Sequence, residues 1–190
     1  VIFMSVVLFR SGKVQSFPDG FEEIEALAVV DVLRRAHYDV ITVGVTGQAV
    51  RGSHGITVAA DILPDEIILE NVEAIVLPGG MPGTLNLEKA PCVQQAIDYC
   101  VENNVLICAI CAAPSILGHK GLLKGKQAIC YPGFEQELEG AIISKESVCC
   151  DDGIITAKGA GVAIDFAIAI MAHFQGNVKA QVLRSVLQCK

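Results

Sequence analysis

Cys111 closes the apolar run Val105-Leu-Ile-Cys-Ala-Ile110 and is followed at once by Ala112, Ala113 and Pro114. A thiol at the apex of a sharp strand-to-helix turn is offered for nucleophilic attack, as a Gly-x-Ser-x-Gly turn offers a serine. Ala109 and Ala113 stand where that turn uses small residues to avoid a clash. The N-terminus of the helix that follows favours a thiolate. The competing reading is one more core cysteine, because that residue type is often fully buried. Glu25 is the candidate carboxyl partner. It falls among Ile24, Ala26, Leu27 and Ala28, where burial raises its pKa and lets it donate a hydrogen bond. Its rival reading is a solvated acidic first turn shared with Glu22 and Glu23. Gly79 and Gly80, in Pro78-Gly-Gly-Met-Pro-Gly83, let backbone approach a substrate closely. With the Ala112 amide they are the candidate N–H donors to an oxyanion.

Other chemistries fit less well. Cys108-Ala-Ile-Cys111 matches Cys-x-x-Cys, but Cys108 lies within the strand, not at a helix start. Paired ligand spacings for zinc are missing, so no metal is expected. Pro78–Thr84 lacks the Gly-Lys-Ser/Thr of a phosphate loop, and Gly159-Ala-Gly161 is no dinucleotide fingerprint, so no cofactor is expected. Among the histidines, His37 and His173 sit at helix ends and His119 follows the elbow helix. His54, from the loop that carries Arg51, is the one placed to reach a site. None forms a convincing Cys-His pair.

These residues need a scaffold that brings strand ends together. The first helix, the Gly79-Gly80 loop and the Cys111 elbow each follow a strand, so three strand ends can meet at one edge, where open α/β sheets bind ligands. The 190 residues read as one domain, 1–190, with an aliphatic core; 52% are hydrophobic and tryptophan is absent. The net charge of -7, with no basic tract, argues against nucleic acid as the main partner. No apolar segment reaches membrane-spanning length. Val1–Phe9 reads as the first strand, not a leader, and eight cysteines, several inside apolar runs, read as reduced thiols in a cytoplasmic setting.

Along the chain, Arg10–Pro18 reads as a polar loop and Asp19 as the N-cap of a helix over Glu22–Ala36, with Glu22 completing a capping box. Tyr38–Val45 is the next strand, Gly44–Gly55 a turn or hairpin, Ile56–Ala60 a short strand and Pro64–Glu70 a helical turn. Ala74–Leu77 is a buried strand, Pro91–Asn103 a helix and Lys126–Cys130 a short strand. Asp151-Asp-Gly153 joins Ser147–Cys150 to Ile154–Ala157 in a hairpin. Gly159-Ala-Gly161 opens a helix through His173, and Val178–Leu187 forms the last one.

Four stretches in order, Asp19-Gly-Phe-Glu-Glu-Ile-Glu-Ala26, Leu77-Pro-Gly-Gly80, Ala109-Ile-Cys-Ala-Ala-Pro114 and Thr156-Ala-Lys-Gly-Ala-Gly161, resemble the ThiJ/PfpI superfamily. Within it the chain looks like the Parkinson-disease-associated deglycase branch. The resemblance implies an α/β, flavodoxin-like three-layer sandwich with a mostly parallel sheet and a nucleophile elbow at Cys111. It implies a homodimer formed partly through the first helix, with Cys111 as an oxidisable nucleophile and Glu25 as its protonated partner. It places Gly79, Gly80 and Ala112 around an oxyanion. The activities it implies are glutathione-independent conversion of methylglyoxal to lactate, deglycation of early adducts on proteins, redox sensing and chaperoning. In two places the chain departs from the pattern. Tyr131 replaces the histidine of many relatives, which removes the obvious general base and argues against a protease. Arg10–Pro18 stands as an insertion between the first strand and the Gly-x-Glu-Glu motif. A loop arginine of the branch matches His54, with Arg51 close by as the remaining cation for an anionic group.

Overall fold

The computed structural model describes residues 3–5, 12–16, 19–45 and 47–189. Strands are β1 (Phe3–Ser5), β2 (Gly12–Ser16), β3 (Val40–Gly44), β4 (Ala49–Arg51), β5 (Thr57–Ala59), β6 (Val72–Leu77), β7 (Leu106–Ile110), β8 (Gln127–Ala128), β9 (Ile142–Ile143), β10 (Val148–Asp151) and β11 (Ile154–Ala157). Helices are α1 (Glu23–Arg35), α2 (Gly83–Lys89), α3 (Pro91–Glu102), α4 (Pro114–His119), α5 (Ala163–Gln175) and α6 (Asn177–Val186).

The central sheet runs β1-β3-β2-β6-β7-β11-β10. β3, β2, β6, β7 and β11 are mutually parallel, in a register such as Val14 opposite Ile41, Ile75 opposite Ile107 and Ile155 opposite Cys108. β6 and β7 are buried on both faces, which is why they read as continuous aliphatic runs. The crossover β2-α1-β3 steps one way along the sheet and β6-α3-β7 the other. Right-handed crossovers in opposite directions put their helices on opposite faces, which gives three layers. α5 packs against α1 and carries α6 on its outer side. The core is aliphatic, with Leu33, Ile75, Leu77, Leu87, Ile97 and Ile110 fully buried beside Phe21 and Phe166.

The order reverses between β2 and β6, so a crevice opens at their carboxyl ends. That geometry corrects the reading of Arg10–Pro18 as an inserted loop. Gly12–Ser16 within it is an inner strand of the sheet, parallel to β3 and paired with β6 at Gly12 opposite Val72. Its pairing, not its polar composition, makes it a strand. Of the expected strand Val1–Phe9, Phe3–Ser5 is a strand antiparallel to β2 and β3; the remainder lies outside the described residues.

Asp19 does not cap α1. Glu22 does, its Oε2 accepting from the Glu25 amide at 2.7 Å, while Asp19 Oδ1 accepts from the Arg51 amide at 3.0 Å. α2 was not anticipated, because Gly83 and Asn86 weaken its helical signal. β4 and β5 form the expected hairpin, and Asp152 and Gly153 both take positive φ, the signature of a tight two-residue turn. No helix among the described residues is long and apolar enough to cross a membrane. All eight cysteines are free.

Candidate functional site

β7 ends at Ile110, and the Cys111 amide still donates to the Ala157 carbonyl at 2.9 Å, so the sheet fixes where the turn begins. Cys111 then takes φ 64°, a left-handed conformation that a side chain adopts only under constraint. Pro114 opens α4 directly after, and the Cys111 carbonyl is held by the Tyr131 amide at 2.7 Å. The expected elbow is therefore present, with a half-buried thiol at its apex.

Glu25 stands in the first turn of α1 and is 1% exposed, so it is no solvated surface residue. Its Oε2 accepts from the Gly79 amide at 2.9 Å. Its Oε1 is buried without a hydrogen-bond partner among the described residues, although the Cys111 thiol and the Ala160 amide lie near enough to favour the carboxylate. Burial dominates and, with the nearby Glu22 charge, raises the Glu25 pKa to about 7. Desolvation disfavours the charged form, so the carboxyl keeps its proton well above the ordinary carboxylate range.

The glycines are there because nothing larger fits. A Cβ on Gly79 would come 2.6 Å from the Cys111 Cβ and 2.7 Å from Glu25 Oε2. Gly80 has φ 93°, and a Cβ there would strike the Glu22 amide at 2.5 Å. The Glu22 amide in turn donates to the Gly79 carbonyl at 3.0 Å, so two strand-end loops are stitched backbone to backbone. The three expected oxyanion donors divide. The Gly80 and Ala112 amides act on the Cys111 sulfur, whereas the Gly79 amide is taken up by Glu25.

The thiolate expected from the helix N-terminus is not favoured. Burial, followed by the charge and hydrogen bond of Glu25, pushes the Cys111 thiol up to about 12, against the pull of the Gly80 and Ala112 amides. α4 has six residues, and its N-terminus does not outweigh desolvation beside a carboxylate.

Arg51 and His54 sit on the β4–β5 hairpin. Neither hydrogen-bonds Cys111 or Glu25 among the described residues. His54 is held by Glu23, its Nδ1 2.8 Å from Oε2, with its side chain 70% exposed. Glu23 is the residue that sequence reasoning missed. Its buried carboxylate accepts from Ser53 Oγ, the His54 ring and the amides of His54 and Ile56. Burial works to raise its pKa, but those bonds prevail and hold it below the ordinary range. The Glu23 bond, then its charge, raises the pKa of His54. Glu22, Glu23 and His54 bring three ligand-type atoms within 4.8 Å of one another, some thirty residues apart in sequence and so invisible to a spacing rule. Tyr131 is half exposed, and its ring lies against Gly159, which in turn borders Glu25 Oε1.

The sequence model of the DJ-1/PfpI family matches residues 14–173. This chain belongs to that family. It is 37% identical over 172 residues to protein DJ-1 homolog A of Arabidopsis thaliana, covering 88% of this chain and 44% of that protein. DJ-1 homolog B of the same plant is covered over 37% of its length, so the chain spans less than half of either. It is 29% identical to the glutathione-independent glyoxalase DJR-1.2 of Caenorhabditis elegans, over 87% of this chain and 89% of that one. Among solved structures, oxidized Toxoplasma gondii DJ-1 superposes with a TM-score of 0.87 at 31% identity, covering 93% of this chain and 96% of the other. Drosophila melanogaster DJ-1beta gives 0.86 at 29%, covering 95% and 99%. Family membership places the expected α/β fold with its mainly parallel sheet beyond the sequence argument alone.

Proposed function

We propose that this chain is a cysteine-dependent, glutathione-independent glyoxalase that also takes early glycation adducts. The observation that carries the reading is the pairing of a strained elbow thiol with a buried carboxyl whose pKa lies at about 7. A carboxyl poised there both takes and gives a proton at physiological pH. The Cys111 sulfur adds to the aldehyde carbon of methylglyoxal while its proton passes to Glu25. The new alkoxide is met by the Gly80 and Ala112 amides. Glu25 returns that proton to the alkoxide, then takes the proton on the former aldehyde carbon and delivers it to the neighbouring carbon, while the hydroxyl proton passes to the second oxygen, which leaves a lactoyl thioester. Water cleaves that thioester to lactate and restores the thiol. No cofactor enters this sequence. With Tyr131 in place of a histidine, Glu25 is the group left to take the thiol proton as the sulfur attacks.

Lactate formation from methylglyoxal without glutathione is the test, in wild type, Cys111→Ser and Glu25→Gln side by side. Loss in both variants supports the reading; undiminished turnover in Cys111→Ser overturns it. A second reading, a redox-responsive chaperone or binding protein, draws support from the likeness to an oxidized DJ-1 structure. There, two equivalents of peroxide take Cys111 to the sulfinate, held by Glu25, and release two waters. Intact mass after mild peroxide would rise by the mass of two oxygens in wild type and stay unchanged in Cys111→Ser. A protease is the least favoured reading: one relative is a putative cysteine protease, YraA of Bacillus subtilis, but among the described residues neither His54 nor His119 hydrogen-bonds Cys111.

The same reading includes a homodimer built on α1. Ile24 is 58% exposed on that helix, and Ile56, whose amide bonds to Glu23, brings a second exposed isoleucine to the same end. Methylglyoxal or a glycated protein is the substrate partner, in a cytoplasmic setting.

A further inference from the structure

His119 lies outside the machinery just described, at the C-terminal end of α4, yet both its ring nitrogens are engaged. Nδ1 is 2.5 Å from Oε1 of Glu88, near the end of α2. Nε2 is 2.8 Å from Oε2 of Glu137, the last residue of a 3-10 turn over Glu135–Glu137. Three segments thus meet on one imidazole, and each leaves a loop of the site. α4 follows Cys111 and Ala112, α2 follows Gly79 and Gly80, and the turn follows Tyr131–Gly133. A second contact fixes the junction. A Cβ on Gly118 would lie 2.1 Å from the Glu137 carbonyl, so α4 and the turn touch backbone to backbone beside the ring.

We propose that His119 is a positioning residue for the Cys111 site, a two-sided imidazolium clamp that holds the site's loops in register and slackens when the ring loses its proton.

The chemistry of the ring requires this. An imidazolium donates from both nitrogens, whereas a neutral imidazole has one donor and one lone pair. Between two carboxylates, the neutral ring must give up one of its two bonds. The bond to Glu88, then that to Glu137, raises the His119 pKa above its ordinary value, so the clamp stays closed to a higher pH than a free ring would allow. Its stabilisation is complete below the unfolded-state value and is lost as pH rises through the folded one. The neighbouring Lys120 is committed to α3, 2.7 Å from Asp98 Oδ1 and 3.0 Å from Gln94 Oε1. Among the described residues, Glu88 of α2 and Glu137 of the turn are the charged groups that pair with the ring.

The clamp rests on the reading of Cys111 as the reactive centre, so its test has one readout that needs no turnover. Backbone and histidine side-chain NMR would follow pH in a Glu25→Gln background, which removes the carboxyl's own titration. The Gly80, Ala112 and Tyr131 amides should shift with the His119 midpoint. Those inflections should vanish in His119→Gln, while His119→Arg should hold the amides at their low-pH positions throughout. In otherwise wild-type protein, His119→Gln should lower kcat for lactate formation roughly tenfold with little change in KM, and His119→Arg should recover most of it. Amide inflections that persist in His119→Gln, or that are absent with His119 intact, overturn the clamp. Coupled amide titration with no lactate from any variant sinks the glyoxalase reading and leaves the clamp standing. If His119→Gln fails to fold, the background titration and His119→Arg decide alone.

Discussion

At the scale of single residues, the site is built from groups held in unfavourable states. The Glu25 pKa is raised from 4.5 to about 7. The folded chain therefore holds a proton that the unfolded chain has already released, and stability falls as pH rises between those values. Such a shift corresponds to about 3 kcal/mol. Glu25→Gln should accordingly be more stable than wild type at pH 8 by about 1 to 3 kcal/mol and near parity at pH 4, as read by urea unfolding at both pH values. Gly79→Ala should do the opposite. Its methyl collides with Cys111 and Glu25, so the expected loss is about 1 to 3 kcal/mol, with lactate formation reduced at least roughly tenfold. That Cys111 would close a strand and that Gly79 and Gly80 would lie in a tight loop after another was legible in the sequence, whereas the burial of Glu25 was left open between two readings there. The state of the thiol was not legible. Helix polarity is visible in a sequence, whereas the desolvation and the buried carboxylate that outweigh it appear only in three dimensions.

At the scale of elements, strongly apolar segments were legible and paired ones were not. β6, β7 and the β10–β11 hairpin declare themselves by aliphatic runs and by Asp152-Gly153. Gly12–Ser16 has no such run and becomes β2 through its neighbours β3 and β6. The β4–β5 hairpin hangs on a partner that no local pattern shows, the buried Glu23 carboxylate. Glu23→Ala should lower stability by about 2 to 3 kcal/mol, because it strands two backbone amides and a hydroxyl. Glu23 has a depressed pKa, so the stability it supplies is present above its unfolded value and is lost as pH falls through the folded one. The wild-type advantage over Glu23→Ala in denaturant midpoint should shrink towards pH 3.

At the scale of the whole molecule, the three layers serve to bring the carboxyl ends of β2, β6 and β7 into one crevice. The reversal of strand order between β2 and β6 leaves that crevice open, as it does in other doubly wound sheets. The proposed homodimer would set the outer face of α1 against its copy, so a charge at Ile24 is the sharpest probe. Ile24→Asp should sediment as a monomer under conditions where wild type sediments at twice the chain mass, and a wild-type monomer would remove the proposal. A sequence of this composition conveys its fold class readily, since buried parallel strands need aliphatic runs. It conveys assembly poorly, because one exposed isoleucine on a helix looks like ordinary surface until its surroundings are known.

Cys111 in its left-handed turn has one more consequence, for selection. Glycine or asparagine would sit at that φ with less strain, and a neutral residue at position 25 would escape the buried charge. A library of variants sorted only for thermal tolerance should therefore discard Cys111 and Glu25 early and keep the aliphatic sheet beneath them intact. Replacements that make the protein sturdier would mark positions 111 and 25 without any substrate being supplied.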